Sequence, residues 1–232
     1  MKRIAIGLLA LIILGLGAVA LYFSYMSRSG ADPAFFESEI QAFLEADRAN
    51  PPAPGQIVFY GSSSIRFWST LAADMAPLPV LNRGFGGAHL SHLIHNAPRI
   101  VIPYAPRAVV VYAGNNDVGA GKSADTVVAD FAALVGLLRS ALPETDVYFL
   151  SIKPSPLRFS KWPEMANANE RIKALADADP RLHYIDVGQV LLGSDGKPNG
   201  DFFRFDGLHL NAKGYAAWTA VVAPVLRAAY GL

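Results

Sequence analysis

Ala108-Val109-Val110-Val111-Tyr112-Ala113-Gly114-Asn115-Asn116-Asp117 is the stretch on which the fold turns. Its first half is apolar without alternation, the pattern of a strand covered on both faces. Its second half becomes polar at once, so the chain leaves a hydrophobic layer and presents amides and a carboxylate directly at the strand end. Working outward, four further β-rich runs occupy 56–60, 79–82, 146–151 and 182–187. Helical spacing separates them at 91–101, 124–141, 163–177 and 212–229. Ahead of all these, Phe35, Phe36, Ile40, Phe43 and Leu44 predict a packing helix within 33–49, which Pro51-Pro52-Ala53-Pro54-Gly55 stops. Such alternation predicts an α/β fold, a parallel five-stranded sheet with helices on both faces. In open sheets of that kind ligands bind at the carboxyl ends of the strands, and the residues just after each strand become the candidates for chemistry.

Composition narrows the classes. The chain has 232 residues, 52% of them hydrophobic and 17% charged, enough for one globular domain and a short appendage. A formal net charge of +1 with no basic run argues against a nucleic-acid partner. There is no cysteine, so a thiol nucleophile, a disulfide and Cys-ligated zinc are excluded and catalysis falls to oxygen or nitrogen groups.

At the start, Met1-Lys2-Arg3 precedes an unbroken apolar run over 4–23, long enough as a helix to span a hydrocarbon core. The expectation is a membrane anchor over 1–23, a polar tether over 24–32 and a globular domain over 33–232. Lys2 and Arg3 outnumber Arg28 at the ends of the span, which places the domain on the non-cytoplasmic side. The alternative is a signal peptide cleaved after Ala18-Val19-Ala20 and a secreted product.

Four strand-end motifs stand out, each with a bland reading beside the chemical one. Gly61-Ser62-Ser63-Ser64 follows the first strand: Gly61 permits a sharp turn, and a serine there is a nucleophile or a helix cap. Arg83-Gly84-Phe85-Gly86-Gly87-Ala88 follows the second, either a plain glycine turn or a loop whose N–H groups approach a ligand closely; His89 at the place of a third glycine excludes a dinucleotide fingerprint. Gly114-Asn115-Asn116-Asp117 offers neutral amides suited to an oxyanion, or an Asx-type turn. Asp206-Gly207-Leu208-His209 spaces a carboxylate so that it can orient an imidazole toward a nucleophile, or simply caps the last helix.

Taken in this order across 56–211, the four motifs resemble the SGNH hydrolases, also called GDSL esterases and lipases. The resemblance implies a flavodoxin-like three-layer α/β/α sandwich and a serine ester hydrolase that works through an acyl-enzyme without a cofactor. It carries the nucleophile to Ser63, with Ser64 as the fallback, and the acid and base to Asp206 and His209. The oxyanion donors it implies are Ser63 N–H, Gly87 N–H and the Asn116 side chain. One position departs from the family pattern: Ser62 stands where an aspartate is usual.

Substrate recognition is expected from Arg66, Phe85 and Trp162, drawn from the arginines (Arg66, Arg83, Arg158, Arg204) and aromatics near the loops. The expected substrate is a small-molecule, glycan or lipid ester, such as an acetylated glycan or a lysophospholipid; an acyltransferase with the same triad and a non-catalytic binding module are the alternatives. His89, His92 and His95 recur every third residue, but without an Asp, Glu or Cys among them no metal site is expected.

Overall fold

The computed structural model describes residues 32–231 together with Gly15, Gly17 and Gly30. The expected anchor, and the tether up to residue 31, otherwise lie outside the described residues. Among the described residues no helix is long and apolar enough to cross a membrane.

The five runs read as strands form one sheet: β1 Ile57–Gly61, β2 Val80–Gly84, β3 Ala108–Tyr112, β4 Asp146–Leu150 and β5 Leu182–Ile185. All neighbours are parallel and the order is β2-β1-β3-β4-β5. Every residue of β1 and β3 is buried, as an unbroken apolar run requires. The helices are α1 Glu37–Ala49, α2 Ser63–Arg66, α3 Leu71–Met75, α4 Leu90–Ile100, α5 Asn115–Gly119, α6 Ala124–Ala141, α7 Trp162–Asp177 and α8 Ala212–Ala229.

Period-two alternation along each strand feeds two separate cores. Val58, Tyr60, Val109, Val111, Val147 and Phe149 face Ile40 of α1, Leu93 of α4, Phe131 of α6 and Ile172 of α7. Ile57, Phe59, Val110, Tyr112, Tyr148 and Leu150 face Ile65, Leu71 and the Tyr215, Trp218 and Val222 stripe of α8. The result is an α/β sandwich with the sheet as its middle layer. Each fully buried large side chain in these layers contributes about 1.5–3 kcal/mol.

Differences from the sequence reading are local. The helix expected over 33–49 begins only at Glu37, because Pro33 to Phe36 form turns. The one-turn helix α2 begins at the serines read as a helix cap, whereas α3 and α5 are too short to show a hydrophobic period. Gly61 is needed for space more than for a turn: it is the last residue of β1, and a Cβ there would lie 2.2 Å from the Tyr112 carbonyl oxygen. That close approach lets Ser62 N–H donate to the same carbonyl at 3.0 Å as the chain rises into α2.

Candidate active site

Because β1 and β3 are neighbours while β2 lies on the outer side of β1, the loops after these strands diverge around a crevice at the carboxyl edge of the sheet. Ser63 is the first residue of α2 and Asn116 the second of α5, one on each side of it. The Phe85–Ala88 loop, entered through Phe85 N–H on the Gly61 carbonyl at 3.0 Å, adjoins them.

His209 reaches the crevice from a turn that closes on itself. Arg204 N–H donates to the His209 carbonyl at 2.7 Å and Arg204 Nε to the Leu210 carbonyl at 3.1 Å. Asn211 caps α8 by accepting from Gly214 N–H and donates from Nδ2 to the Asp201 and Phe203 carbonyls. Held this way, His209 Nε2 lies 3.1 Å from Ser63 Oγ and its Nδ1 lies 2.7 Å from Asp206 Oδ2. Asp206 Oδ1 also accepts the N–H groups of Leu208 and His209, each at 2.9 Å. Burial pushes the Asp206 carboxyl up, but those three hydrogen bonds outweigh it and bring the pKa down to about 2, so the group is an anion at neutral pH. It fixes the proton of His209 on Nδ1 and leaves Nε2 to accept from a hydroxyl.

Ser63 is the serine that meets the imidazole. Ser64, read as the fallback, is 2% exposed, and its carbonyl accepts from the Tyr215 hydroxyl at 2.9 Å. Ser62 is equally buried, with its carbonyl accepting the Ile65 and Arg66 N–H groups that open α2.

Asn116 is held on both sides of its amide. Nδ2 donates to the Ala88 carbonyl at 3.1 Å, and Oδ1 accepts from Arg158 Nη1 at 3.0 Å. This fixes which end is nitrogen, ties the β3 loop to the β2 loop, and leaves the second Nδ2 hydrogen for a ligand. Gly87, with φ +78°, adopts a backbone conformation that a side chain would strain. The following helix is anchored by Asp117, fully buried, whose two oxygens accept from Leu90 N–H at 3.3 Å and whose Oδ1 meets Lys122 Nζ at 2.9 Å. Burial raises the Asp117 carboxyl, but the neighbouring His89 and Lys122 outweigh it and hold the pKa below the ordinary value. The three histidines have separate surroundings. His89 lies 3.5 Å from Asp117, and His92 accepts from His89 N–H through Nδ1 and contacts the Asp32 carbonyl through Nε2, while His95 is exposed.

The expected recognition residues fare unequally. Arg66 stays half exposed, its Nη1 lying over Gly86, 2.8 Å from where a Cβ would sit. Phe85 does not face a ligand: it is fully buried between Phe36 and Tyr60, because a large apolar ring beside the sheet packs the core. Trp162 opens α7 and lines a groove of about 460 Å³ with Asn169, Tyr184 and Asp186, to which none of Ser63, Gly87, Asn116, Asp206 or His209 contributes. Arg83 is buried against Asp47 and Tyr104 and stacks on Phe43, which ties α1 to β2.

Two features escaped the sequence reading. Arg158 reads in the sequence only as a charge near the loops, and its part in orienting Asn116 depends on the short 3-10 segment Pro156–Lys161 bringing distant residues together. Lys153 is the other. It is 2% exposed, three residues beyond β4, with Nζ 5.6 Å from the Tyr112 ring centroid. A lysine three residues after the apolar run Val147 to Leu150 falls in the strand-end region where chemistry is expected.

A model described as the GDSL-like lipase/acylhydrolase family matches residues 44–217. No curated protein sequence matches the chain. Among solved structures, a Streptococcus pneumonia protein named for platelet activating factor is 20% identical, with a TM-score of 0.75 over 91% of this chain and 99% of that one. A GDSL-like lipase from Bacteroides thetaiotaomicron is 21% identical, with a TM-score of 0.72 over 82% and 98%. A carbohydrate esterase family 3 protein from Talaromyces cellulolyticus is 17% identical, with a TM-score of 0.56 over 74% and 96%. At such identities the likeness carries the fold and leaves the substrate open.

Lys153 gives the site a measurable signature. Burial first, and the Arg158 charge second, pull its pKa from 10.5 down to about 7, with Asp206 acting in the opposite sense. Between those two values the unfolded chain holds a proton that the folded one has released, so stability rises with pH across that window. Lys153→Met is expected to melt higher than the wild type at pH 6–7, by about 2–4 °C per kcal/mol, with the gap closing toward pH 10. Thermal melts followed by circular dichroism across that range check it; a gap independent of pH would contradict the assignment.

Proposed function

Since the chain belongs to the GDSL-like lipase/acylhydrolase family and is a carboxylic ester hydrolase, we propose that it cleaves its ester through an acyl-enzyme on Ser63. The observation that carries this reading is the continuous chain Ser63 Oγ, His209, Asp206, with links of 3.1 and 2.7 Å. His209 Nε2 takes the hydroxyl proton as Ser63 Oγ bonds to the ester carbonyl carbon, and Asp206 stabilises the imidazolium. Collapse of the tetrahedral intermediate breaks the bond to the alkoxide, which leaves with the proton from His209. Water, deprotonated by the same nitrogen, then releases the acid and restores Ser63.

The negative charge on the tetrahedral oxygen is met by Ser63 N–H, Gly87 N–H and Asn116 Nδ2. In this reading Arg158 and the Ala88 carbonyl are positioning groups: they hold the amide turned toward the oxygen before substrate arrives, so little is lost to reorganisation during the reaction.

For the substrate, the reading is an acyl ester of a lipid or an acetylated glycan. Two large apolar side chains near the Asp206 turn support the amphiphilic end of that range: Phe205 is fully exposed and Leu157 is 61% exposed, and the Leu157 N–H donates to the Gly207 carbonyl at 3.0 Å. An acyltransferase would share the acyl-enzyme but pass it to a second hydroxyl instead of water. We place residues 33–232 as a hydrolase domain of flavodoxin-like order, carried on a membrane anchor over 1–23 by the tether 24–32 and facing the non-cytoplasmic side. Secretion after cleavage is the competing outcome.

Hydrolysis of p-nitrophenyl esters by Ser63→Ala and Ser64→Ala tests the reading. Ser63→Ala is expected to abolish turnover while Ser64→Ala retains it; the reverse would move the nucleophile. Asn116→Ala is expected to lower kcat by roughly 10²–10³-fold with KM little changed. For the anchor, the full chain expressed in a bacterium should stay with membranes after alkaline carbonate washing. Recovery of a shortened chain in the soluble exported fraction would show cleavage instead.

A further inference from the structure

The ring of Phe67, the residue that caps the end of α2, meets the His209 imidazole edge to face at 5.1 Å. Two guanidinium groups flank it. Arg204 Cζ stands 4.8 Å from the Phe67 centroid and Arg66 Cζ 5.9 Å from it. Arg66 also extends over Gly86, next to the proposed oxyanion glycine, while Arg204 belongs to the turn that carries His209. The two cations thus flank the ring that touches His209, one toward the Gly86-Gly87 loop and one on the histidine turn.

Their charges are weakly met: Arg66 has one long ion pair, at half-exposed positions, and Arg204 has none among the described residues. The Arg204 Nε hydrogen goes to the Leu210 carbonyl, and the acid facing Arg66 is Glu39 at 4.0 Å. Nearby carboxylates are engaged elsewhere. Asp206 is committed to His209 and two backbone N–H groups, Asp74 accepts from Trp68 Nε1 and the Thr70 hydroxyl, and Asp201 lies 3.8 Å from Lys213. Contact with an aromatic face uses none of a guanidinium's in-plane N–H donors, so beyond the Arg204 Nε bond to Leu210 and the long Arg66 pair with Glu39 each group keeps donors for a planar or tetrahedral oxyanion.

We infer that Arg66 and Arg204, braced on Phe67, form an anion-recognition element, and that the ester this enzyme cleaves carries a phosphate or carboxylate close to the scissile carbonyl. The inference rests on the acyl-enzyme reading of Ser63 and goes beyond it by assigning the charge of the substrate. A guanidinium pair so placed lowers KM for the charged ester and leaves the bond-breaking step to the serine and histidine. The same chemistry is supplied by a lipid headgroup phosphate or by an acidic sugar.

The experiment compares kcat and KM of the full chain on two matched pairs. One is a 1-acylglycerol 3-phosphate against the 1-acylglycerol; the other is acetylated glucuronic acid against acetylated glucose. The expected result is a preference for the charged member of at least one pair, expressed mainly in KM and weakened by salt, and the pair that shows it identifies the source of the anion. Arg66→Gln and Arg204→Gln should each shrink that preference by on the order of tenfold, Arg→Lys variants should restore part of it, and the distant Arg171→Gln should leave it as it was. Equal rates on charged and uncharged members, or a preference that survives both Gln substitutions, would overturn the inference alone. A folded wild type that hydrolyses none of the four esters, nor any p-nitrophenyl ester, would overturn the reading of Ser63 and this inference with it.

Discussion

The backbone bond from Ser62 N–H to the Tyr112 carbonyl is the constraint on which the rest of the site depends. It exists because Gly61 has no side chain, so that β1 can leave the sheet hard against the end of β3. From that point the chain turns into α2 with Ser63 as its first residue, while Phe85 N–H takes the Gly61 carbonyl and draws the β2 loop alongside. A single strand end thus sets Ser63, the glycine loop and the Asn116 turn beside one another on three adjacent strands. The last helix closes the arrangement: Tyr215 donates to the Ser64 carbonyl and Trp218 to the Val187 carbonyl, holding the histidine turn over α2.

Charge at this edge of the sheet is handled in two different ways. Asp206 and Asp117 are anions stabilised by several donors each, which fixes the orientation of His209 in one case and of the α4 N-terminus in the other. Lys153 is the opposite case, a buried amine near an aromatic ring whose pKa burial and the Arg158 charge pull down to about 7, so that it gives up its proton readily. Arg66 and Arg204 complete the set as cations left at the surface of the crevice. On the proposed reading these groups would favour negative charge near Ser63, both on the reacting oxygen and on the molecule that carries it.

Much of this was legible in the sequence. Unbroken apolar runs such as Val109 to Val111 predict strands buried on both faces, and the five strands appear within a few residues of the expected bounds. The strand-end rule and the spacing of Asp206 and His209 marked candidates that each had a bland reading, and the resemblance of the four motifs together singled out the groups that lie within hydrogen-bonding distance. Short helices were illegible because one turn carries no period. Phe85 misled because a ring beside a glycine loop reads alike whether it faces ligand or core. The bracing of Asn116 by Arg158, and of the two arginines by Phe67, are long-range contacts that no local pattern encodes.

The central claim is that the acyl group passes through Ser63 Oγ. Mixing the enzyme with a slowly deacylating p-nitrophenyl ester, quenching in acid and mapping peptides by mass spectrometry tests it directly. The account predicts an acyl adduct on Ser63 that disappears as the acid product accumulates. An adduct on Ser64, or hydrolysis with no adduct at rates that should trap one, would contradict it.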